Sequence, residues 1–88
     1  MVKRNRLEVT RDILEILQKN RQVKITHLIY KANLSNNSIK PYIEYLLKNR
    51  FAEKVIEKDK NYFKITTKGN EFLTEFSKIK IFSDSFGL

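Results

Sequence analysis

The side chains with the clearest chemistry in this 88-residue sequence are hydrogen-bonding and cationic groups, not nucleophiles. Asn36, Asn37, Lys40 and Lys48 fall in the stretch NNSIKPYIEYLLK. An asparagine side chain can form a bidentate pair with adenine, and a lysine can reach guanine or a phosphate oxygen. Near the start of a helix, such residues stand where a recognition helix meets base edges. The stretch therefore predicts a surface that reads DNA, although these residues could also be ordinary solvated residues around a helix cap.

Catalytic and metal-binding chemistry lacks the residues that it needs. The sequence has no cysteine, which excludes disulfides, thiolate catalysis and cysteine-based zinc sites. His27 is the only histidine, and no convergent partners for it are indicated, so we interpret it as a surface residue. Gly69 stands alone and forms no glycine-rich phosphate loop. We therefore expect a protein that is not an enzyme and that needs no cofactor and no metal.

The charge balance indicates a polyanionic partner. Lys and Arg number 18 and Asp and Glu 10, a net charge of +8. The excess is spread along the chain, with nine basic and four acidic residues in 1–44 and nine and six in 45–88. A small, folded, basic domain favours a nucleic acid as partner. The alternative is that the charge only keeps a small domain in solution.

Length and hydropathy predict one globular domain. A chain of 88 residues, with 41% hydrophobic and 32% charged residues, fits a single domain with a modest core. The sequence contains no run of about 18 apolar residues, so we predict no membrane span. The basic N-terminus MVKRNRLEV is not followed by an apolar stretch of the signal-peptide type. We expect a cytoplasmic protein associated with the nucleoid.

The first half of the chain predicts two helices around a short β stub. The first helix, residues 5–19, carries four apolar residues at helical spacing: Leu7, Ile13, Leu14 and Leu17. The β-branched residues of VKI (23–25) predict a short extended segment. Thr26 is predicted to cap a second helix, HLIYKA.

Pro41 decides where the third helix begins. Ser35 can cap a helix that runs to about Asn49, with four residues inward: Ile39, Ile43, Leu46 and Leu47. A proline in a helix interior costs about 3 kcal/mol, whereas in the first turn it costs nothing, because the amides there have no partner. We therefore favour Ser38 as the cap, or an irregular first turn, over a helix from Ser35 that is kinked at Pro41.

The outward face of this third helix gathers the predicted DNA contacts. At 100° per residue, the residues opposite the apolar face are Asn37, Pro41, Glu44, Tyr45 and Lys48. The ring of Pro41 can touch a thymine methyl group. Glu44 lies on the same face and would repel phosphate.

The second half predicts a β-hairpin followed by a helix. AEKVIEK (52–58) and YFKI (62–65) are predicted strands, joined by DKN. Thr66 or Thr67 is predicted to cap a last helix that ends near Phe82, and residues 83–88 form a tail. The predicted order is that of a winged helix-turn-helix, an α+β fold that is mostly α: helix, stub, helix, helix, strand, strand, helix. We expect one domain over residues 1–82, with its last helix at about 66–82.

Other basic and aromatic residues extend the predicted DNA-binding surface. Lys58 and Lys60 on the protruding hairpin suit phosphate contact, although charged strands also protect a sheet edge. Arg4 and Arg6 could reach the DNA backbone, or belong to a frayed terminus. Tyr30 and Lys31 close the second helix, which crosses the DNA backbone in this motif. The predicted DNA-contact residues are Arg4, Arg6, Tyr30, Lys31, Asn36, Asn37, Lys40, Pro41, Tyr45, Lys48, Lys58 and Lys60.

The last helix carries aromatic residues beyond what one small core needs. An apolar stripe runs through Phe72, Phe76, Ile79 and Phe82. Exposed aromatic residues of this kind mark an interface, although Phe72 and the neighbouring Leu73 could simply cover the core. We predict a homodimer through this helix, with two half-sites on DNA following from its two-fold symmetry.

Four stretches carry a resemblance to a known family: RLEVTRDILEIL, IYKANLS, YIEYLLKN and YFKITTKGNEFLTEF. Over residues 4–80 the sequence resembles the small archaeal winged-helix DNA-binding proteins of the chromatin-associated type. The resemblance implies a DNA-binding role in transcription regulation or DNA organisation, and a long last helix paired with its twin as an antiparallel coiled coil. Here that helix is predicted to stop near Phe82. The alternative function is a winged helix whose same surface docks an acidic protein.

Overall fold

Four helices and one β-hairpin make up the fold in the computed structural model, which describes residues 4–87. In chain order the elements are α1 (Arg6–Lys19), α2 (Ile25–Ala32), α3 (Asn36–Lys48), β1 (Ala52–Glu57), β2 (Lys60–Ile65) and α4 (Thr67–Ser85). β1 and β2 pair antiparallel, with Ala52 opposite Ile65. Val23 exchanges two backbone hydrogen bonds of 2.8 Å with Phe63, so a one-residue bridge lies beside β2. The predicted winged-helix order is confirmed.

The core is formed by the apolar faces of the helices, closed on one side by the base of the hairpin. Its buried side chains are Val9, Ile13, Leu14, Leu17, Val23, Leu28, Ala32, Ile39, Ile43, Leu46, Ala52, Phe63 and Leu73. Leu7 was predicted to be inward, but it is 49% exposed. At 100° per residue it lies roughly 90° from the centre of the buried face of α1, so only its edge reaches the core. No described helix is long and apolar enough to cross a membrane.

The starts of α1 and α2 are fixed in different ways. Asn5 and Glu8 form a capping box, in which the Asn5 side chain accepts from the Glu8 amide at 2.8 Å. The prediction that Thr26 caps α2 is wrong, because the helix already begins at Ile25 and its N-cap, Lys24, provides no side-chain bond. The backbone pairing of Val23 with Phe63 ends the extended segment early, so the chain turns into the helix two residues sooner than predicted.

α3 begins at Ser35 and runs through Pro41 without interruption, so the favoured start at Ser38 is wrong. Ser35 Oγ accepts from the Ser38 amide at 3.0 Å, and the Ile39 amide donates to the Ser35 carbonyl at 3.1 Å. Pro41 is the sixth helical residue and lacks the amide that would bond the Asn37 carbonyl. Asn37 is exposed, so water can satisfy that carbonyl and the cost stays small.

The hairpin loop is shorter than predicted and α4 is longer. Lys58 and Asp59 both adopt left-handed backbone angles, with φ of 52° and 63°, as a two-residue type I′ turn requires. Lys60 and Asn61, predicted as loop, therefore belong to β2. Thr66 is the cap of α4, since its Oγ1 accepts from the Gly69 amide at 3.0 Å.

α4 continues to Ser85, three residues past the predicted end at Phe82, so residues 83–85 are not a loose tail. Two side-chain pairs at helical spacing support this last turn. Lys80 and Asp84 form an ion pair at 3.7 Å, and the ring centroids of Phe82 and Phe86 lie 4.7 Å apart.

Candidate nucleic-acid interface

One side of α3 is a continuous polar surface. Ile39, Ile43 and Leu46 are buried, as predicted from the helical spacing. The five residues predicted for the outer side are all exposed: Asn37, Pro41, Glu44, Tyr45 and Lys48. The predicted contacts Asn36 and Lys40 are exposed as well. The structure therefore exposes, on one side of α3, the five residues that the sequence placed there.

The two asparagines at the start of α3 have unused hydrogen-bonding groups. Within the described residues, no side-chain hydrogen bond involves Asn36 or Asn37, whereas Ser35 and Ser38 bond to each other through their hydroxyls at 2.8 Å. Each free amide side chain offers one acceptor and two donors. The serines hold the helix start, and the asparagines remain available to a ligand in front of it.

Tyr45 lies on one flank of this surface and, together with Pro41, forms part of the wall of an apolar groove. The groove, which we call the α1–α3 groove, has a volume of about 500 Å³ and is lined by Arg6, Leu7, Thr10, Pro41, Tyr42, Tyr45 and Phe72. The Tyr45 ring also packs against Phe51, with 6.1 Å between centroids. By helical angle, Lys48 and Pro41 lie nearest the centre of the polar face, Asn37 is beside them, and Lys40 lies on the flank opposite Tyr45.

The tip of the hairpin carries two lysines that are not neutralised by the fold. Lys64, lower on β2, pairs with Glu53 at 3.3 Å, and the Glu57 carboxylate accepts from Gln22 at 2.8 Å. Lys58 and Lys60 are exposed and form no ion pair with any residue in 4–87. Asp59, between them, is the nearest opposing charge in sequence, so the tip keeps a net positive charge.

The basic residues at the N-terminal end separate into two roles. Arg4 donates to Asp12 at 2.8 Å and to the Ala32 carbonyl at 2.6 Å, so it ties the chain before α1 to the end of α2. Arg11 also pairs with Asp12, at 2.9 Å. Arg6 is exposed at the edge of the α1–α3 groove. Lys3, which the sequence placed beside them, lies outside the described residues.

The α2 side carries the predicted residues Tyr30 and Lys31 and adds two that sequence reasoning missed, Lys24 and Tyr62. Tyr30 is 80% exposed, and Lys31 beside it is also exposed. Tyr30 shares a shallow depression with Lys24, His27 and Tyr62, and the Lys24 ammonium lies 5.8 Å from the centre of the Tyr62 ring. Lys24 reaches Tyr62 because Val23 pairs with Phe63, a register that no local signal in the sequence specifies. His27 is on the surface, as predicted.

The stripe predicted on α4 is partly packed on the domain and partly bare. Phe72 and Phe76 are half-buried, and Phe72 packs against Phe51 with 5.1 Å between ring centroids. Farther along, Ile79 and Phe82 are 62% and 58% exposed. Phe86, which was not predicted to belong to the stripe, is 68% exposed.

Comparison with known proteins supports the same fold. The model of the winged helix-turn-helix family matches residues 3–83. The uncharacterized protein MJ0287 of Methanocaldococcus jannaschii is 32% identical over 77 residues, which cover 88% of this chain and 74% of that protein. These findings, with the structural match below, confirm the resemblance to small archaeal winged-helix proteins.

Solved structures extend the comparison. The crystal structure of Sso10a-2, a DNA-binding protein from Sulfolobus solfataricus, matches with a TM-score of 0.79 and 27% identity, covering 96% of this chain and 87% of that one. A MarR family transcriptional regulator from Silicibacter pomeroyi matches with a TM-score of 0.73 and 16% identity, covering 85% of this chain and 54% of its own. At that identity the second likeness concerns the fold alone.

Proposed function

Since this chain belongs to the winged helix-turn-helix family, we propose that it binds double-stranded DNA, as a transcriptional regulator or a DNA-organising protein. The observation that carries the proposal is the exposed polar face of α3, with unpaired asparagines at its start and lysines along it. A helix with buried apolar residues on one side and these groups on the other suits the major groove. The DNA-binding description of Sso10a-2, at 27% identity, supports the same partner.

In this proposal the residues of α3 divide the work of recognition. Asn36 and Asn37, at the helix start, bond base edges, and Lys40 and Lys48 reach guanine or phosphate. The Pro41 ring and Tyr45 offer apolar surface beside these groups, which a thymine methyl group can contact. Glu44 disfavours close approach of phosphate, which limits how the helix can lie in the groove.

Phosphate contacts surround the base-reading helix. Lys58 and Lys60 at the hairpin tip, Tyr30 and Lys31 on α2, and Arg6 beside the groove are all exposed. Arg4 is left out of this set, because Asp12 and the Ala32 carbonyl already occupy its guanidinium. Six basic side chains then remain: Arg6, Lys31, Lys40, Lys48, Lys58 and Lys60. If each neutralises one phosphate, log K falls with log salt at a slope of about −5 per protomer.

The proposal includes a homodimer formed through α4. Ile79 and Phe82 are exposed on the second half of α4, which extends past the core. Phe72 and Phe76 continue the stripe toward the domain. Two copies related by a two-fold axis would present two recognition helices to two half-sites.

Fluorescence anisotropy of a labelled random-sequence duplex, repeated from low to physiological salt, tests the DNA-binding proposal. We expect micromolar binding that weakens linearly in log salt as counterions are released. Selection of preferred sequences from a random pool then tests whether α3 reads bases. Absence of binding at low salt would contradict the proposal and would direct the search toward an acidic protein partner.

A further inference from the structure

The apolar stripe of α4 is symmetric about Ile79. Its members are Phe72, Phe76, Ile79, Phe82 and Phe86, so the intervals are four, three, three and four residues. Read from either end, the pattern is the same. Two antiparallel copies of such a helix, with the two-fold axis at Ile79, therefore present apolar residues to each other at every level.

This register fixes which residues lie at the same level. Phe72 of one copy is level with Phe86 of the second copy, Phe76 with Phe82, and Ile79 with itself. Shifting the centre to between Phe76 and Ile79 would set Ser83 against Phe72, and shifting it to Ile81 would set Ser83 against Ile79. Since both shifts oppose a hydroxyl to an apolar side chain, the register centred on Ile79 buries the most apolar surface.

Phe72 also lines the α1–α3 groove, which is unfilled among residues 4–87. The groove is open and walled by Leu7, Tyr42, Tyr45 and Phe72. Phe86, the C-cap of α4, lies 14 residues beyond Phe72, roughly 21 Å away at 1.5 Å per residue. An intramolecular contact between Phe86 and the groove is therefore excluded.

We propose that Phe86 of a second copy seats in the α1–α3 groove, in an antiparallel α4 pair centred on Ile79. The inference rests on the homodimer of the proposed function and specifies its register and its seat. A parallel pair would instead set Phe86 against its own counterpart and leave both grooves empty. It would also crowd the two domain bodies at one end of the helices.

The charges at the two surfaces are complementary. α4 has no basic residue in its last turn, so its terminal carbonyls form a partially negative end, whereas the Asp84 charge is offset by Lys80 at 3.7 Å. Arg6 stands at the edge of the groove, is exposed and forms no ion pair with any residue in 4–87. In the antiparallel register the helix end of the second copy arrives beside this guanidinium, so that in the dimer Arg6 faces the second copy and five basic side chains remain for phosphate.

The exposed apolar area is sufficient for such a pair. Ile79, Phe82, Phe86, Leu7 and Tyr45 are between 48% and 68% exposed. With roughly 200 Å² per large side chain, the two copies bury about 1,100 Å² from these residues alone, close to the lower end of specific interfaces.

The seat has a consequence for DNA recognition. Pro41 and Tyr45 of α3 form part of the groove wall. Phe86 of the second copy therefore packs against the helix that carries Asn37 and Lys48, and each protomer supports the recognition helix of the other.

Engineered disulfides test the seat directly, because the natural chain has no cysteine. We expect Tyr45→Cys with Phe86→Cys to give a covalent dimer under mild oxidation, with the Tyr45–Phe86 link identified by mass spectrometry of the digest. The matched control, Glu44→Cys with Phe86→Cys, should stay monomeric on a non-reducing gel, since Glu44 is exposed on α3 but does not line the groove. Leu7→Cys with Phe86→Cys is a second groove pair, should Tyr45→Cys disturb α3.

Further single cysteines separate the possible failures. Ile79→Cys should form a covalent dimer, whereas Ser83→Cys should not, because residue 83 lies about 12 Å from its counterpart in the antiparallel register and beside it in a parallel one. A covalent dimer with Ile79→Cys, but with neither groove pair, would overturn the seat and leave the dimer standing. Sedimentation of the natural chain as a monomer would overturn both, while DNA binding by anisotropy would still stand or fall on its own.

Discussion

Gly69 is a residue at which the fold admits no side chain. A Cβ built there would overlap the Phe51 carbonyl oxygen and lie 2.6 Å from Ile65 Cγ1. The Phe51 carbonyl cannot move aside freely, because it accepts from the Thr66 amide at 3.1 Å. The absence of a side chain at Gly69 thus allows the first turn of α4 to lie directly on the segment that enters the hairpin.

Gly69→Ala should destabilise the protein, although alanine favours helices. Overpacking costs about 1–3 kcal/mol, against a gain of about 1 kcal/mol in helix propensity, so we expect a net loss of up to roughly 2 kcal/mol. Urea denaturation measures the loss. Ser77→Ala, at an exposed position of the same helix, is the control and should be neutral or slightly stabilising. A more stable Gly69→Ala protein would mean that α4 does not lie this close to Phe51.

Asn37→Ala should relax sequence preference more than it weakens overall binding. A bidentate contact to adenine contributes about 1–3 kcal/mol of discrimination, so the preferred site should lose roughly 10- to 100-fold in affinity. Binding to a random duplex should change little, since that binding depends on phosphate contacts. Lys48→Ala is the comparison and should weaken both duplexes alike. Equal effects of Asn37→Ala on both would assign Asn37 a role without base reading.

Single residues also mark the limit of what the sequence could predict. The face of α3 follows from helical spacing, which is local, and the structure has those residues exposed as predicted. Arg4 was grouped with Arg6 because they are neighbours in sequence. Its partners, Asp12 and the carbonyl of Ala32, are 8 and 28 residues away, and the second contact exists only once α1 and α2 have packed.

Element boundaries depended on competition between local rules. At α3, the expected cost of an internal proline argued for a cap at Ser38. The earlier start is stabilised by the Ser38 amide, which donates to Ser35 Oγ, and Asn37, whose carbonyl lacks its helical partner, is an exposed residue. At the hairpin, DKN was predicted as the connection, yet the two-residue turn at Lys58 and Asp59 keeps Asn61 paired opposite Ile56. The loop length was decided by strand register, which depends on pairing between the two strands and not on the loop sequence alone.

The hairpin as an element should supply phosphate contacts. Lys58→Asn with Lys60→Thr removes two charges while keeping a residue that tolerates the left-handed turn and one that favours strands. We expect weaker binding on every sequence and a salt slope flatter by about 1.8 per protomer.

A variant with the same charge loss elsewhere controls for net charge. Lys19→Ala with Lys78→Ala removes two positive charges from the surface between α1 and α4. It should change the slope far less than the hairpin variant does. If the two variants have equal effects in anisotropy titrations, the hairpin contributes only its share of the overall charge.

At the scale of the whole molecule, α4 has one half that packs on the domain core and one half that extends away from it. Its first half packs on the core through Leu73 and Phe72, and its second half extends outward with Ile79, Ile81 and Phe82 exposed. A chain of this size gains little from an isolated helix end, since short helices are marginal in water without packing. The extension is explained if a second copy covers it.

Two neighbouring isoleucines on α4 allow a matched test of the dimer and of its effect on DNA binding. Ile79 and Ile81 are 62% and 64% exposed, but Ile79 lies on the stripe and Ile81 about 160° from the centre of the stripe. Ile79→Glu places two carboxylates against each other at the two-fold axis, so we expect dimer affinity to fall at least about 100-fold, as burial of unpaired charge implies. Ile81→Glu removes the same side chain and adds the same charge on the open side, so sedimentation should find it dimeric.

On a two-site duplex, the salt slope of Ile79→Glu should fall to about half that of Ile81→Glu, because one protomer at a time then contributes phosphate contacts. Equal oligomeric states for the two variants would place the interface outside the stripe, and equal slopes with different oligomeric states would mean that each protomer binds DNA independently of the other.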